Sequence, residues 1–385
     1  MTVSFSANAN PEEGHETEHR FDPGEMIMHH IADAHQINII GTLDIPLPVI
    51  LFHDGHLDVF SSSRFWNGYD AHGHLQFQPY TASSGTTYVN NGEIIEVYDA
   101  NHTAVHSDDA AHLADTTRMV SDSLVQAPVA EPSTTEEHDA VTPLDFSITK
   151  SVFGMLLVIV ILILVFRNVA KAYTTRAGKA PKGLQNVMEP LILFIRNEVA
   201  IPSLGKKRAD RYFPFLLTSF FFIWMCNMLG LVPFLGGFNI TGTLSITLVL
   251  AALVFLITNF SGNKHYWGHI FWPPGVPFVI KLILVPIEIM SIFIKPAVLM
   301  IRLTANITAG HIIILAFVSL IILFGQDSPV AGYSIGVGAV LFMIFMFFIE
   351  LLVAFLQAYV FTLLAALYFG DATQEHHHEG DEKHH

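Results

Sequence analysis

Cysteine is almost missing from these 385 residues: Cys226 is the only one. A single thiol closes no intramolecular disulfide and builds no thiolate metal cluster. Charge is scarce too. Asp, Glu, Lys and Arg make up 14% of the chain, against about 25% in an average soluble protein, which argues against both a disordered chain and an ordinary soluble one. Bases are rarer than acids, 19 against 34, for a net charge of −15. That balance excludes a nucleic-acid binder, because neutralising phosphates needs a basic surface. No G-x-x-x-x-G-K-[ST] string occurs, so the chain has no phosphate loop for a nucleotide of its own.

What is present is apolar and unevenly spread. Half the residues are hydrophobic, 51%, and 31 are Phe. Residues 1–145 hold 23 acids and 3 bases, whereas residues 146–385 hold 11 acids and 16 bases. An acidic polar half is thus joined to an apolar, mildly basic one. The first long apolar run, Phe153 to Phe166 with Ile148 and Val169 at its flanks, is long enough for a helix of about 20 residues to cross hydrocarbon. Arg167, Lys171, Arg176, Lys179 and Lys182 follow, then Arg196, Lys206, Lys207, Arg208 and Arg211. The excess of Lys and Arg places this segment in the cytoplasm and the acidic half outside. Within it, Val187 to Val199 reads as an amphipathic helix on the inner membrane surface, the alternative being a soluble loop helix. Spans are expected at about 148–169, 213–231, 243–260, 277–324 and 335–369. The last two are too long to stand upright in about 30 Å of hydrocarbon. They read as a hairpin of two tilted helices, with Pro286 and Pro296 permitting kinks in the first, joined by a loop over Gly325–Ser334.

Those two helices carry Lys281, Glu288, Lys295, Arg302, His311 and Glu350, with Ser291, Asn306 and Gln357 as polar company. A charge at the bilayer centre costs at least about 2.5–3.5 kcal/mol, so such groups face a partner or water and mark ion paths. Lys281 is placed to snorkel to the inner interface. Glu288 and Lys295, seven apart on one face, read either as an ion pair or as channel lining. Arg302 does not lose its proton in proteins and is a permanent cation in a dry place. At about 100° per residue, Arg302, Asn306 and Ala309 share a face with Ala305 beside them, and His311 lies opposite. Small residues around a fixed cation suit close approach by another helix. Glu350 and Gln357 share a face of the second helix, and His311, which titrates near neutrality, is placed to meet Glu350.

Here the residues become recognisable. PIEIMSIFIKPAVLMIRLTANITAGH (Pro286–His311) and IELLVAFLQAYVFTLLAALYFG (Ile349–Gly370) resemble the two signature helices of subunit a of the F-type ATP synthase. FFIWMCNMLGLVPF (Phe221–Phe234) and TGTLSITLVLAAL (Thr241–Leu253) resemble its earlier spans. The resemblance runs from about Val152 to Gly370. It implies that Arg302 is the essential arginine, flanked by Asn306 and Gln357, and that Glu288, Ser291 and Lys295 form the polar stripe before it. His311 and Glu350 occupy positions that hold an acid and a histidine in many members, so the two types are exchanged here. Gly230 stands where many relatives carry an acid, which departs from the pattern around Asn227. The resemblance further implies a proton-translocating stator subunit with no catalytic, cofactor-binding or metal-binding residues of its own. Its partners would be ring-forming c subunits, peripheral-stalk b subunits, membrane lipids and the whole ATP synthase complex. The ring would set whether the ion is H⁺ or Na⁺, with His311 favouring protons.

The expected organisation is an all-α membrane domain at 148–370 of a bacterial inner-membrane protein. A small α+β or β-rich extracytoplasmic domain at 1–107 and an acidic linker at 108–147 precede it, and a His- and acid-rich cytoplasmic tail at 371–385 follows. FDPGEMIMHHIADAH reads as a short helix, whereas PVILFHDGHLDVFSSSRF and TTYVNNGEIIEVYDA read as hairpins. Met1–Ala9 is too short for a signal peptide, although SANANPEEG looks like a cleavage region. His29, His30, His53, His56, His72 and His74 are metal-capable but match no defined spacing. Two rival readings are a secondary transporter with an anion site at Arg302, which requires inverted repeats that the halves do not show, and a membrane-anchored outer metal-binding module.

Overall fold

The computed structural model describes residues 24, 33–40, 43–69, 75–92, 94–98, 142–176, 178–232, 238–327 and 329–374. Most of the expected short helix at 21–35, nearly all of the acidic linker, His29, His30, His72, His74 and the tail from residue 375 lie outside them.

Alternating sequence around tight turns produces four small antiparallel sheets among the described residues. β1 (Gln36–Ile40) pairs with β2 (Leu43–Pro46). β3 (Pro48–His53) and β4 (His56–Ser61) form a hairpin that turns at Asp54 and Gly55, with φ of 48° and 80°. Two consecutive positive φ values suit a two-residue turn, and an Asp-Gly pair supplies them at little steric cost. β5 (Trp66–Tyr69) pairs with β6 (Leu75–Phe77), while β7 (Tyr80–Thr81), β8 (Thr87–Asn90) and β9 (Ile95–Val97) form a sheet with β8 central. β10 (Leu144–Asp145) adds to the edge of β3. Val49, Leu51, Phe65, Tyr88 and Ile95 make a compact core of their own.

From there on the chain is helical. α1 (Lys150–Thr175) begins at Thr149, whose hydroxyl accepts from the Val152 N–H and satisfies one of the free donors of the first turn. α2 (Leu184–Phe194), a π-helical turn (Ile195–Ala200) and α3 (Ile201–Leu204) run on without leaving helical geometry. Their apolar side buries Ile195, Val199 and Leu204. α4 (Lys206–Gly230), α5 (Leu244–Phe260), α6 (Lys264–Phe271), α7 (Phe278–Asp327) and α8 (Pro329–Thr373) complete the order. Among the described residues, four helices are long and apolar enough to cross a membrane, five if α5 and α6, bent by 100° at a short break, count as one broken span. The molecule is thus mostly helical with a β-rich N-terminal region.

One expectation needs correction. The segment Gly325–Ser334 is not a loop: helix continues to Asp327 and restarts at Pro329. Proline is favoured at the first helical position, where its missing N–H would be unpaired anyway. Glycine supplies the rest, since a Cβ on Gly332 would lie 2.7 Å from the Gly325 Cα. The two helices therefore nearly abut. Phe317 stacks near Phe342 at 4.2 Å, Gly310 meets Glu350 and Lys295 lies over Tyr368, an order that makes the hairpin antiparallel along its length. At about 1.5 Å per residue, both helices far exceed a hydrocarbon layer of about 30 Å. Large apolar side chains such as Leu282 and Phe348 stand exposed along them.

The C-terminal end of α8 is held fast. The Arg208 guanidinium and Asn263 Nδ2 both donate to the Thr373 carbonyl, and the Asn263 N–H donates to the Ala372 carbonyl. At the opposite end, the β-rich region is anchored to α1. The Lys150 N–H donates to the Ala34 carbonyl at 2.9 Å and the Ser151 N–H to Asp33 Oδ1 at 2.9 Å. Ile37 and Leu47 join the same buried apolar cluster as Val158, Phe238 and Ile240.

Candidate functional site

Arg302 sits on α7 with its side chain exposed, and Ala305, Asn306 and Ala309 are exposed beside it. The opposite side of the helix buries Leu299, Leu303 and Ile307. The buried stripe is thus apolar, and the stripe turned away from the chain's own core carries the cation and the small residues. Among the described residues Arg302 makes no hydrogen bond and no ion pair. Gln357, its polar counterpart on α8, is buried.

Toward the β-rich region lies a cluster of polar groups. Asn227 on α4 donates through Nδ2 to the Ala354 carbonyl at 3.1 Å and accepts from Thr241 Oγ1 at 2.6 Å. Both functions of that amide are used in tying α4 to α8 and to the 238–243 segment. Ser151 and Thr243 share a hydroxyl contact at 3.0 Å, and Thr247 and Thr304 another at 2.7 Å. Gly230, the departure from the family pattern, has no room for a larger residue. A Cβ there would lie 2.7 Å from the Phe238 carbonyl oxygen and 3.5 Å from His311 Nε2.

Glu350 is buried, and neither of its carboxyl oxygens has a hydrogen-bond partner among the described residues. The expected meeting of His311 with Glu350 is therefore not a hydrogen bond. The carboxyl rests against Gly310, where an added Cβ would lie 2.6 Å from Oε1. One residue along, about 100° around the helix, His311 is turned toward Gly230 on α4. Gly310 is what angular reasoning missed, and its signal was a glycine inside an apolar helix at a level facing a carboxyl.

At the other end of α7, Lys281 Nζ lies 4.1 Å from the centre of the Trp272 ring, a cation–π seat for a snorkelling lysine. Glu288 and Lys295 form no ion pair with each other. Lys295 turns instead toward α8, where Nζ lies 5.4 Å from the Tyr368 ring centre. Lys295, Thr258, Asn259, Tyr266, Tyr368 and Asp371 line a cavity of about 20 Å³, room for a water, which needs about 10–15 Å³ and polar partners. Asn259 Oδ1 is buried there without a partner. Ser291 is half-buried one turn from Lys295. Asn259, Tyr266, Tyr368 and Asp371 were not singled out from the sequence. Asp371 was assigned to the solvated tail, although it follows Gln357 by four helical turns and so shares its face. Among the described residues no three His, Cys, Asp or Glu side chains converge on a point where a metal would sit.

A fixed cation on an exposed face thus separates a buried carboxyl on one side from a water-sized polar cavity on the other. The family described as "ATP synthase A chain" matches residues 152–370, which include Arg302, His311, Glu350 and all of the cavity lining but Asp371. The chain belongs to the ATP synthase A chain family. It is 44% identical over 254 residues to "ATP synthase subunit a 2" of Chlorobaculum tepidum, covering 64% of this chain and 69% of that one. It is 42% identical over 250 residues to "ATP synthase subunit a" of Chlorobium phaeobacteroides, covering 63% and 70%. A third relative, "ATP synthase subunit a" of Chloroherpeton thalassium, is 41% identical over 246 residues, covering 62% and 70%. Residues 26–121 match a separate family described as "Domain of unknown function (DUF8433)". The chain is therefore subunit a of an F-type ATP synthase, a multi-pass membrane protein that works within the synthase complex in ATP synthesis and proton transport. The transporter and membrane-anchor readings fall with that membership.

Proposed function

We propose that this chain forms two aqueous half-channels against a rotating ring of carboxyl-bearing c subunits, with Arg302 as the barrier between them. The observation that carries this reading is the exposed stripe of Arg302, Ala305, Asn306 and Ala309 on α7. A cation there is expensive against lipid and at home against a partner's carboxylate, and the small residues let that partner come close. Protons enter from the outer side near His311 and Glu350, neutralise a ring carboxylate and travel with it through lipid. They leave past Lys295, Ser291 and Glu288 on the inner side, where the cavity beside Asn259 holds water. Arg302 attracts the returning carboxyl, which sheds its proton, and the same charge repels a proton moving straight between the half-channels. Asn306 and Gln357 flank it as polar neighbours. Each charge crossing 100 mV releases about 2.3 kcal/mol, so several must be summed for one ATP.

In this reading the membrane domain occupies 148–370, its two long helices lie obliquely to the membrane normal along the ring, and the b subunits of the peripheral stalk hold it still. The protein sits in the bacterial inner membrane with residues 1–107 outside and residues 371–385 in the cytoplasm, as the basic 167–211 segment supports. Arg302→Ala in the assembled synthase tests the assignment. ATP-driven proton pumping into inverted vesicles is expected to vanish while the catalytic sector still hydrolyses ATP. Normal pumping by that variant would overturn it.

A further inference from the structure

α1 holds 26 residues, about 39 Å of helix, against about 30 Å for hydrocarbon and about 40–45 Å with the headgroups included. Its last two turns, past the apolar run that ends at Phe166, therefore stand at headgroup level. There Asn168, Lys171, Thr175 and Arg176 from the end of α1 face Lys182 and Gln185 from the start of α2 across an open cavity of about 240 Å³. One water needs only about 10–15 Å³, so this space takes a larger occupant.

The wall of this cavity is positive. Arg196, further along the basic stretch, is paired with Asp210 at 3.0 Å, whereas among the described residues Lys171, Arg176 and Lys182 have neither an ion pair nor a side-chain hydrogen bond. α2 starts at Gly183, which has no side chain to cap the first-turn N–H groups. Leu184 and Gln185 bring that positive helix end to the cavity, where an anion is favoured. The carbonyl end of α1 is partly screened, since the Thr174 and Thr175 hydroxyls both donate to the Lys171 carbonyl. Glu189, the acid of α2, sits one turn beyond Gln185 and does not line the cavity. Gln185 is the exception among these donors. It is 6% exposed, and its buried Oε1 has no hydrogen-bond partner, a loss that a donor from the occupant would make good.

We infer that this cavity holds the headgroup of an anionic phospholipid that carries a free hydroxyl. Its phosphate lies among Lys171, Arg176, Lys182 and the start of α2, and its hydroxyl donates to Gln185 Oε1. Both parts are needed. The cations and the helix end recognise a phosphate, but a bare phosphodiester has no proton to give the orphaned acceptor. The lipid source follows from α1 itself. Val160 and Leu164 stand exposed on it, on the same face as Asn168, Lys171 and Thr175 and one and two turns before Asn168. An acyl chain lying along that stripe leads from hydrocarbon straight to the cavity. The inference is independent of the half-channel reading.

The test titrates the complete synthase, delipidated in detergent, with a photoactivatable phosphatidylglycerol and reads adducts on residues 160–185 by mass spectrometry. Saturable labelling is expected. Arg176→Gln/Lys182→Gln should weaken it about thirtyfold, a factor of about five for each cation near the lipid. Phosphatidylethanol carries the same charge without the hydroxyl, and wild type should prefer phosphatidylglycerol to it as a competitor. Gln185→Leu should abolish that preference and leave phosphatidylethanol binding as it was, which a purely structural glutamine would not do. Should Gln185→Leu fail to assemble, the preference of wild type decides alone. Labelling that never saturates, that persists unchanged in the double variant, or that shows no preference for the hydroxyl would overturn the inference. Equal competition by glycerol 3-phosphate or inorganic phosphate would overturn it in favour of a soluble anion. Loss of another subunit from the lipid-free double variant would overturn it in favour of a protein partner.

Discussion

Glu350 and Gly310 show how finely the carboxyl is placed. With both oxygens unpartnered and the side chain buried, the group is held by packing against a glycine, and packing can be altered one methyl at a time. Gly310→Ala would set a Cβ 2.6 Å from Oε1. The carboxyl, at the far end of a flexible side chain, must then swing aside. ATP-driven pumping should drop while subunit content stays constant, as immunoblots of the purified complex would check. Asp58 in the β-rich region is the contrasting case. Burial works against its charge, but Ser84, Tyr88 and Ser83 all donate to it and hold its carboxyl below the usual carboxylate range. Burial and the adjacent Asp58 push Tyr88 up to about 12. Tyr88→Phe removes one donor from a charged acceptor and should cost about 1.5–3 kcal/mol, read from thermal unfolding of the full chain. A neutral result would mean that the remaining donors suffice.

Helices such as α1 and α4 follow directly from runs of apolar residues, because hydropathy and backbone hydrogen bonding in lipid are local demands that a continuous run satisfies. Their ends are less local. α8 runs on through Gly370 and Asp371 to Thr373, past the apolar run, because Arg208 and Asn263, distant in sequence, take up its last carbonyls. Gly370 permits the approach, since a Cβ there would fall on the Ser203 carbonyl oxygen of α3. Gly370→Val should therefore push α8 off α3 and lower the melting temperature of the complex. Retention of the wild-type melting temperature would show that this contact yields easily. The face bearing Arg302 was legible from a 100° wheel, whereas the partner of Glu350 was not. Two helices with known faces can still be rotated against each other by a fraction of a turn, and that rotation selects Gly310 over His311.

Across the molecule, the β-rich region and the helical part share one buried cluster and one polar joint. Burial disfavours the Asp145 charge, but hydrogen bonds from His35 and Ser147 outweigh it and hold this carboxyl below the usual carboxylate range. A depressed carboxyl stabilises the joint fully above the unfolded-state value and ceases to do so as pH falls through the lower folded-state value. The joint should thus be constant from neutral pH down to the carboxylate range and loosen only in stronger acid. Hydrogen exchange of the amides of Lys150 and Ser151, followed as pH is lowered, would show protection lost only there, and loss near pH 6 would contradict it. Asp145→Asn should weaken the joint at neutral pH and flatten this dependence, by the same measurement.

The order of the apolar helices and the residues that carry the family resemblance were written in the sequence in advance. The long apolar runs, the basic 167–211 stretch and the R-L-x-x-N-x-x-A-G string belong to contiguous segments, and contiguous segments answer to local solvation and helical angle. What awaited the folded chain was every relation between groups far apart in number: Glu350 against Gly310, Asp371 beside Lys295 at a water-sized cavity, Asp33 on the Ser151 N–H. Such pairs depend on how helices rotate and slide as their side chains interlock, and no local rule computes that rotation.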